Sequence, residues 1–560
     1  MLFAVFCGTV VVHIGLVARV WTDADREWWA RLGGWVTAFA LGWSALCAVV
    51  IYAPVFFFWA REWLIAAGGA SWVVATLIGV LVGRGRLGEV ALGTPWRTWA
   101  LRFAPYAFIA GALILLSYGV HLALLALDGR ALPEFSEEVT WRAAVLPTLM
   151  AVSVVPLEHV GIALAVTFAV ALVLAWRVDV NVFSLYAFYR DRLIRCYLGA
   201  SRATMGERKA NGFTGFDPAD DLPLAEIRPG QRPFHIVNTA INLVRGGELA
   251  WQTRKAASFT FTPLDCGFAL PPHAAGQALG QGCMGGYRPA DEYMEGATLG
   301  GAVAISGASV SPSMGHRTSA GVAFLLTVFN VRLGRWCGNP CHPRAWQTFG
   351  PRIGARYLLA ELLGLAGRDS PYVYLSDGGH FENLGIYELV RRRCRAIVAV
   401  DAGRDPRYEF VDLANAIRKC YADFGALIEI DIAAIRPPED ARHSAAHHAV
   451  GTIRYPGHGA EPGFTGTLLY VKASLDGREP PDILSYSIEH ATFPHETTAD
   501  QFFDEPQFES YRKLGLHIGL AVLAPAVEQL RGLGRTPARE TLAELLAPLA
   551  QHAPEEARGA

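Results

Sequence analysis

The stretch Tyr374-Leu375-Ser376-Asp377-Gly378-Gly379-His380-Phe381-Glu382-Asn383 ends a short apolar run in an aspartate and follows it at once with two glycines. A carboxylate held at a strand end is a candidate general base, and glycines in the turn let a substrate approach the backbone closely. Gly378 and Gly379 are therefore a candidate substrate-side or oxyanion turn, with His380, Glu382 and Asn383 following at the entry to a helix. Aspartate is also a frequent helix N-cap, because its oxygen accepts a hydrogen bond from the free amides of the first turn. Base and cap both stand open at this point.

A base needs a nucleophile, and the chain does not offer an obvious one. Ser306 and Ser309 lie in the small-residue run Leu299-Gly-Gly-Ala-Val-Ala-Ile-Ser-Gly-Ala-Ser309, but neither falls in a G-x-S-x-G frame, and no such frame occurs in the 560 residues. Small residues at this density favour tight packing, which is the stronger reading for both serines. Cys337-Gly-Asn-Pro-Cys341-His342 offers three potential metal ligands without the matching second pair of a structural zinc site. No metal or cofactor is expected. Asp401, in Val400-Asp401-Ala402-Gly403, repeats the context of Asp377 and reads as a structural carboxylate.

The elements that must position these residues alternate in type. His235–Asn238, Ser258–Thr262, Tyr372–Leu375, Ala396–Asp401 and Ile428–Ile432 read as strands. Gly321–Arg332, Ala355–Leu365, Glu382–Arg393 and Leu413–Phe424 read as helices. Such alternation predicts an α/β domain with a largely parallel sheet, in which sites form at the carboxyl ends of strands. A hairpin pair follows (Val450–Tyr455 and Thr467–Ala473), then helices near Glu505–Leu530 and Ala538–Leu549. The expected organisation is a transmembrane region over 1–180, an α/β domain over 181–435, and a C-terminal hairpin with helices over 436–560.

The first region is dominated by Leu, Val, Ala, Phe and Trp. Crossing a bilayer takes about 20 mostly apolar residues, and five stretches qualify: Leu2–Val20, Trp35–Trp59, Trp63–Val82, Phe103–Leu127 and Ala143–Val178. The last is interrupted by Pro156, Glu158 and His159, so residues 143–157 form a short lead-in. A cleaved signal peptide is not expected, since the first segment lacks a basic leader and further spans follow. With five spans the three most arginine-rich connections share one side, which the positive-inside rule makes cytoplasmic together with the C-terminal part. Phe183–Arg195 reads as an amphipathic segment leaving the membrane. His13, His121, Glu158 and His159 are too dispersed to define a transport path.

Forty-nine basic against fifty-one acidic residues leave a net charge of −2, so no nucleic-acid partner is indicated. Nine cysteines without a paired framework fit free thiols in a reducing compartment.

Taken together, Tyr374-Leu-Ser-Asp377-Gly378-Gly379 with Asn383 resembles the Asp-Gly-Gly/Ala motif of patatin-like phospholipases. Ala304-Ile-Ser-Gly-Ala-Ser-Val-Ser-Pro312 resembles the small-residue segment that precedes that motif, and Ser258-Phe-Thr-Phe-Thr-Pro263 resembles a segment of cytosolic phospholipase relatives. The resemblance covers about residues 233–435 and is similar in kind to bacterial membrane-anchored members. It implies hydrolysis of lipid acyl esters by a Ser–Asp dyad, with Asp377 as base, membrane lipids as partners and a bacterial inner-membrane location. The serine elbow and oxyanion turn of that family would precede everything matched here. The expectation is a nucleophile-bearing segment before Met1, ending in one further span so that serine and Asp377 share a compartment. Without it the chain is expected to be inactive alone. The alternative is a non-catalytic membrane protein that uses the same scaffold to bind lipid or a partner.

Overall fold

The computed structural model describes residues 2–16, 23–59, 95–130, 141–204, 206, 208–227, 233–243, 254–270, 285–312, 320–362, 365, 367–438, 441–457, 459, 462–497, 503–532, 544 and 546. The chain divides into two compact units, Met1–Val173 and Leu174–Ala560.

Uninterrupted apolar sequence makes the first unit helical. Its helices are Leu2–Leu16, Asp23–Trp59, Pro95–Leu127 and Trp141–Ser153, followed by Leu157–Arg177 at the boundary. Helix Asp23–Trp59 packs against Leu2–Leu16, Pro95–Leu127 and Trp141–Ser153. The Ser117 hydroxyl ties two of these helices by donating to the Val50 carbonyl at 3.2 Å. Pro156 cannot continue the helix before it, so the stretch 143–178 splits where the sequence placed its interruption. Glu158 then sits in the first turn of Leu157–Arg177 and Arg177 in its last, each beside the helix end whose partial charge it opposes. Glu158 and His159 are thus helix-end residues.

Among the described residues, three helices are long and apolar enough to cross a membrane: Arg31–Phe56, Phe108–Leu127 and Leu157–Arg177. No residue of Leu157–Arg177 is buried, and a helix that is apolar all round between its charged ends is matched to lipid surroundings. Of the other expected spans, Leu2–Val20 is represented by a 15-residue helix. Trp63–Val82 lies outside the described residues.

The second unit holds ten strands among the described residues: β1 Val237–Asn242, β2 Ala256–Phe261, β3 Asp265–Ala269, β4 Gly285–Pro289, β5 Arg335–Gly338, β6 Tyr372–Asp377, β7 Ala396–Asp401, β8 Leu427–Ile430, β9 His448–Tyr455 and β10 Phe464–Lys472. They form a six-stranded sheet ordered β4-β3-β2-β1-β6-β5 and a four-stranded sheet ordered β7-β10-β9-β8. Every neighbouring pair in the larger sheet is antiparallel. In the smaller one β10 runs parallel to β7, and β9 runs against both β8 and β10.

This corrects the expectation of a largely parallel sheet. Only residues 262–264 join β2 to β3, far too few for a crossover, so that pair must form a hairpin. There the Thr262 hydroxyl oxygen accepts from the amides of Leu264 and Asp265 at 3.2 and 2.9 Å, closing the turn. Helix Gly354–Leu362 does intervene between β5 and β6, yet those strands pair antiparallel. Strands β7 and β8, joined through helix Val411–Phe424, point the same way but lie at opposite edges with the β9–β10 hairpin between them. Residue 436, the expected start of the C-terminal part, therefore falls inside one sheet.

The small-residue helix Leu299–Ser306 packs on the segment that enters this unit. A Cβ at Gly300 would stand 2.4 Å from Ile194 Cγ1, and one at Gly307 would stand 2.6 Å from the Tyr189 hydroxyl. Glycine is what lets helix Tyr186–Leu193 approach. That segment is anchored rather than merely peripheral: the buried Asn181 amide donates to the Trp336 carbonyl at 2.9 Å and accepts from the Trp336 amide at 2.9 Å.

Candidate active site around Asp377

Asp377 closes β6 opposite Thr239 of β1, and its carboxylate is half-buried. Its Oδ1 accepts from the Gly379 amide at 2.7 Å, which caps the single 3-10 turn Gly378–His380. The α-helix beyond begins only at Ile386, and Glu382 serves its end: Oε1 accepts from Leu384 and Oε2 from Tyr387, at 2.6 and 3.1 Å. Burial raises the Glu382 carboxyl, and these two amides oppose the shift. The capping reading for Asp377 thus holds for one turn, while another acid does that work for the helix.

The two glycines differ in what they forbid. A Cβ at Gly378 would stand 2.8 Å from the Asn238 carbonyl oxygen, which is backbone, whereas one at Gly379 meets the Asn383 Oδ1 at 2.6 Å, the end of an exposed side chain. We expect Gly378→Ala to cost about 1–3 kcal/mol, the usual penalty for overpacking, and Gly379→Ala to be accommodated by rotation of Asn383. Thermal unfolding of both variants in detergent checks the order; equal destabilisation would show that the turn is not held by the Asn238 contact.

The Gly379 amide is already committed to Asp377, so it is not a free oxyanion donor. In an antiparallel sheet, moreover, neighbouring strands end at opposite edges, so Asp377 gains nothing from the parallel-sheet rule for site location. What defines the place is local. The Asp377 amide donates to the Ala308 carbonyl at 3.4 Å, drawing in the end of the small-residue run. The Ser306 hydroxyl donates to the same Asn238 carbonyl that walls Gly378, at 2.7 Å. Ser306 therefore lies beside the turn with its proton directed to a carbonyl, not to the Asp377 carboxylate. Ser309 is exposed.

Tyr189 is a member of the site that the sequence did not mark. Its hydroxyl hangs over Gly307, and its pKa is raised by burial first and by the Asp377 charge second. The only sequence signal was its place in an aromatic and basic segment.

Behind the turn, Ser376 and His380 share a 2.8 Å hydrogen bond, Oγ to Nδ1, and the Asn242 amide donates to the same Oγ at 2.8 Å. Serine beside histidine has the form of a nucleophile and base, but Ser376 is completely buried and His380 nearly so. The Asn242–Ser376 bond braces β1 against β6, and the Ser376–His380 bond ties the turn back to β6.

Asp401 repeats the turn chemistry, its Oδ1 accepting from the Gly403 amide at 2.8 Å. Its Oδ2 accepts from Lys472 Nζ at 2.9 Å and from the Tyr470 hydroxyl at 2.5 Å, inside a buried cluster. The structural reading of Asp401 agrees with this geometry. Asn383 ties the Asp377 turn to helix Val411–Phe424, for its amide donates to Asp412 Oδ2 at 2.8 Å while its oxygen faces Gly379.

The Cys337, Cys341 and His342 group is dismantled as a ligand set. Cys341 is disulfide-bonded, which also corrects the expectation of free thiols throughout. Burial pushes the Cys337 thiol up to about 12, and His342 Nδ1 accepts from the Ala345 amide at 3.2 Å. Cys47, Cys196, Cys266, Cys337, Cys394 and Cys420 are free. A cleft of about 430 Å³, lined by Tyr387, Arg391, Asp423 and Tyr455 among others, does not include the Asp377 turn.

No family model, no curated protein and no solved structure matches this chain.

Proposed function

We propose that the chain is the membrane-bound, base-bearing part of a patatin-type lipid acyl hydrolase, with the nucleophilic serine supplied by a segment outside these 560 residues. The observation that carries this reading is the Asp377 turn. A half-buried carboxylate at a strand end is oriented by the Gly379 amide, on glycines whose neighbours leave no room at Gly378 for a side chain. Such a carboxylate is pre-positioned to accept a proton, which a mobile surface aspartate is not.

In this reading the serine oxygen attacks the carbonyl carbon of a lipid ester as its proton passes to Asp377. Collapse of the tetrahedral intermediate expels the alcohol, which takes that proton back, and water then releases the fatty acid by the same two steps. The oxyanion donors come with the serine segment, since the Gly379 amide is engaged. In this reading the apolar helices hold the chain at its substrate, and Asp377 works on the cytoplasmic side of a bacterial inner membrane, the side the positive-inside rule assigns to the basic connections.

One observation favours the non-catalytic alternative, namely that the Ser306 hydroxyl beside the turn donates to Asn238 instead of Asp377. Fatty-acid release from phospholipid micelles separates the two. The purified chain and its Asp377→Asn variant should both show the background rate. Membranes co-expressing the coding sequence that adjoins Met1 should hydrolyse lipid only with Asp377 intact. Hydrolysis that ignores Asp377 would remove the proposal.

A further inference from the structure

The loop after β10 and the C-terminal helix bring together four side chains that the Asp377 site does not use. His447 immediately precedes β9, Asp476 and Glu479 follow β10, and His517 lies on helix Glu505–Gly532. Their ligand-type atoms all lie within 4.8 Å of one another. We propose that these four residues bind one divalent transition-metal ion of the zinc class, as a structural clamp between the smaller sheet and the C-terminal helix.

The hydrogen-bond pattern of His447 is the first support. With the Ser474 hydroxyl proton directed to the Lys472 carbonyl, 3.3 Å away, its oxygen accepts from His447 Nδ1 at 2.8 Å. In that tautomer the neutral ring presents a bare lone pair at Nε2. That Nε2 is buried, has no hydrogen-bond partner, and stands 3.5 Å from Asp476 Oδ2. A lone pair facing a carboxylate repels it unless a cation sits between them. The side chain is only 4% exposed, so water does not relieve the repulsion.

His517 supplies the second orphan. Its Nε2 is likewise buried without a hydrogen-bond partner and stands 3.6 Å from Asp476 Oδ1. Zinc bonds nitrogen and oxygen ligands at about 2.0–2.2 Å in a tetrahedron, whose edges are then about 3.3–3.6 Å. The His447–Asp476 Oδ2 separation matches such an edge, and His517 faces the other oxygen of the same carboxylate. Glu479 completes the set. It is 3% exposed, and its two oxygens accept from the Asp476 and Gly477 amides at 2.6 and 2.9 Å. Those bonds orient the carboxylate and leave each oxygen a further lone pair.

Charge points the same way. Two carboxylates and two neutral imidazoles form a partly buried dianion, which a divalent cation neutralises. Imidazole with carboxylate and no thiolate selects zinc-like ions over calcium or magnesium. Four protein ligands close a tetrahedral shell, the mark of a structural centre. The clamp would join Leu514 and Ile518, which flank His517, to the apolar layer they share with Leu469 and Leu475.

Chelator-treated, untagged full-length protein in detergent should bind a single equivalent of Zn²⁺ with a rise in melting temperature. Co²⁺ in its place should give the visible absorption of tetrahedral nitrogen and oxygen coordination. His517→Ala and Asp476→Asn should abolish binding. Ser474→Ala, which removes only the support of His447, should weaken it about 10–100-fold. His443→Ala, at an exposed histidine in the connection from β8 to β9, should leave it unchanged. The proposal is overturned if the wild-type protein takes up no Zn²⁺ or Co²⁺ at micromolar concentration. Full affinity in a folded His517→Ala variant overturns it equally.

Discussion

Lys472→Met is expected to destabilise the second unit by about 3–5 kcal/mol, the cost of removing one partner from a buried ion pair. Lys472 and Asp401 are register partners on the parallel strands β10 and β7, their side chains 1% and 2% exposed. Asp401 keeps the Tyr470 hydroxyl and the Gly403 amide as donors when the lysine is gone, but its charge is then uncompensated in the interior. The double variant Lys472→Met with Asp401→Asn should recover much of the loss, because a buried amide needs no counter-ion. Detergent-solubilised protein followed by thermal unfolding reads both effects. A single-variant loss below about 1 kcal/mol would mean that the pair is hydrated as surface pairs are.

The same cluster sets a pH dependence. His495 is held down to about 4 by burial first and by the Lys472 charge second. Unfolded, its imidazole returns to about 6.5. Between these values the unfolded chain binds the extra proton, so this contribution grows as pH rises through the window and is complete above it. It is lost as pH falls toward 4. Removing Lys472 relieves one cause of the depression, so the slope in Lys472→Met should be shallower. An unaltered slope would separate His495 from the cluster.

The second large effect concerns Asp377. Asp377→Asn keeps an oxygen to accept the Gly379 amide, so the turn survives, but the amide cannot take a proton. In membranes that also hold the serine segment, lipid hydrolysis should fall by about 10²–10⁴-fold, the range for loss of a general base. Stability should change by less than about 1 kcal/mol. Asp377→Ala should lose activity equally and stability somewhat more, since it also forfeits the cap on Gly378–His380.

What the sequence made legible follows from the range of the interactions involved. Tyr372–Asp377, Ala396–Asp401 and Val411–Phe424 lie close to where apolar runs placed them, because burial on one face leaves a local pattern. Three of the five expected spans, those within Trp35–Trp59, Phe103–Leu127 and Ala143–Val178, were legible as long apolar runs. The sheet was not. β3, β4 and β5 read Asp-Cys-Gly-Phe-Ala, Gly-Gly-Tyr-Arg-Pro and Arg-Trp-Cys-Gly, with no β-branched residue to mark them as strands. With those three unseen, the remaining elements imitated a parallel alternation.

At the site, the Asp-Gly-Gly turn was visible as a word, whereas Tyr189 reaches it from a distant segment that carries no motif. The Asp401–Lys472 pair depends on the register of two strands far apart in sequence. His447, Asp476, Glu479 and His517 likewise converge only through the hairpin and the last helix, so no ligand spacing betrays them.

The central claim is that Asp377 activates a serine. A fluorophosphonate ester, which reacts with activated serines, tests it directly in membranes carrying both the chain and its adjoining segment. One serine should label strongly in the wild type, and labelling should fall to background in Asp377→Asn. Labelling that persists at the wild-type rate in Asp377→Asn would contradict it.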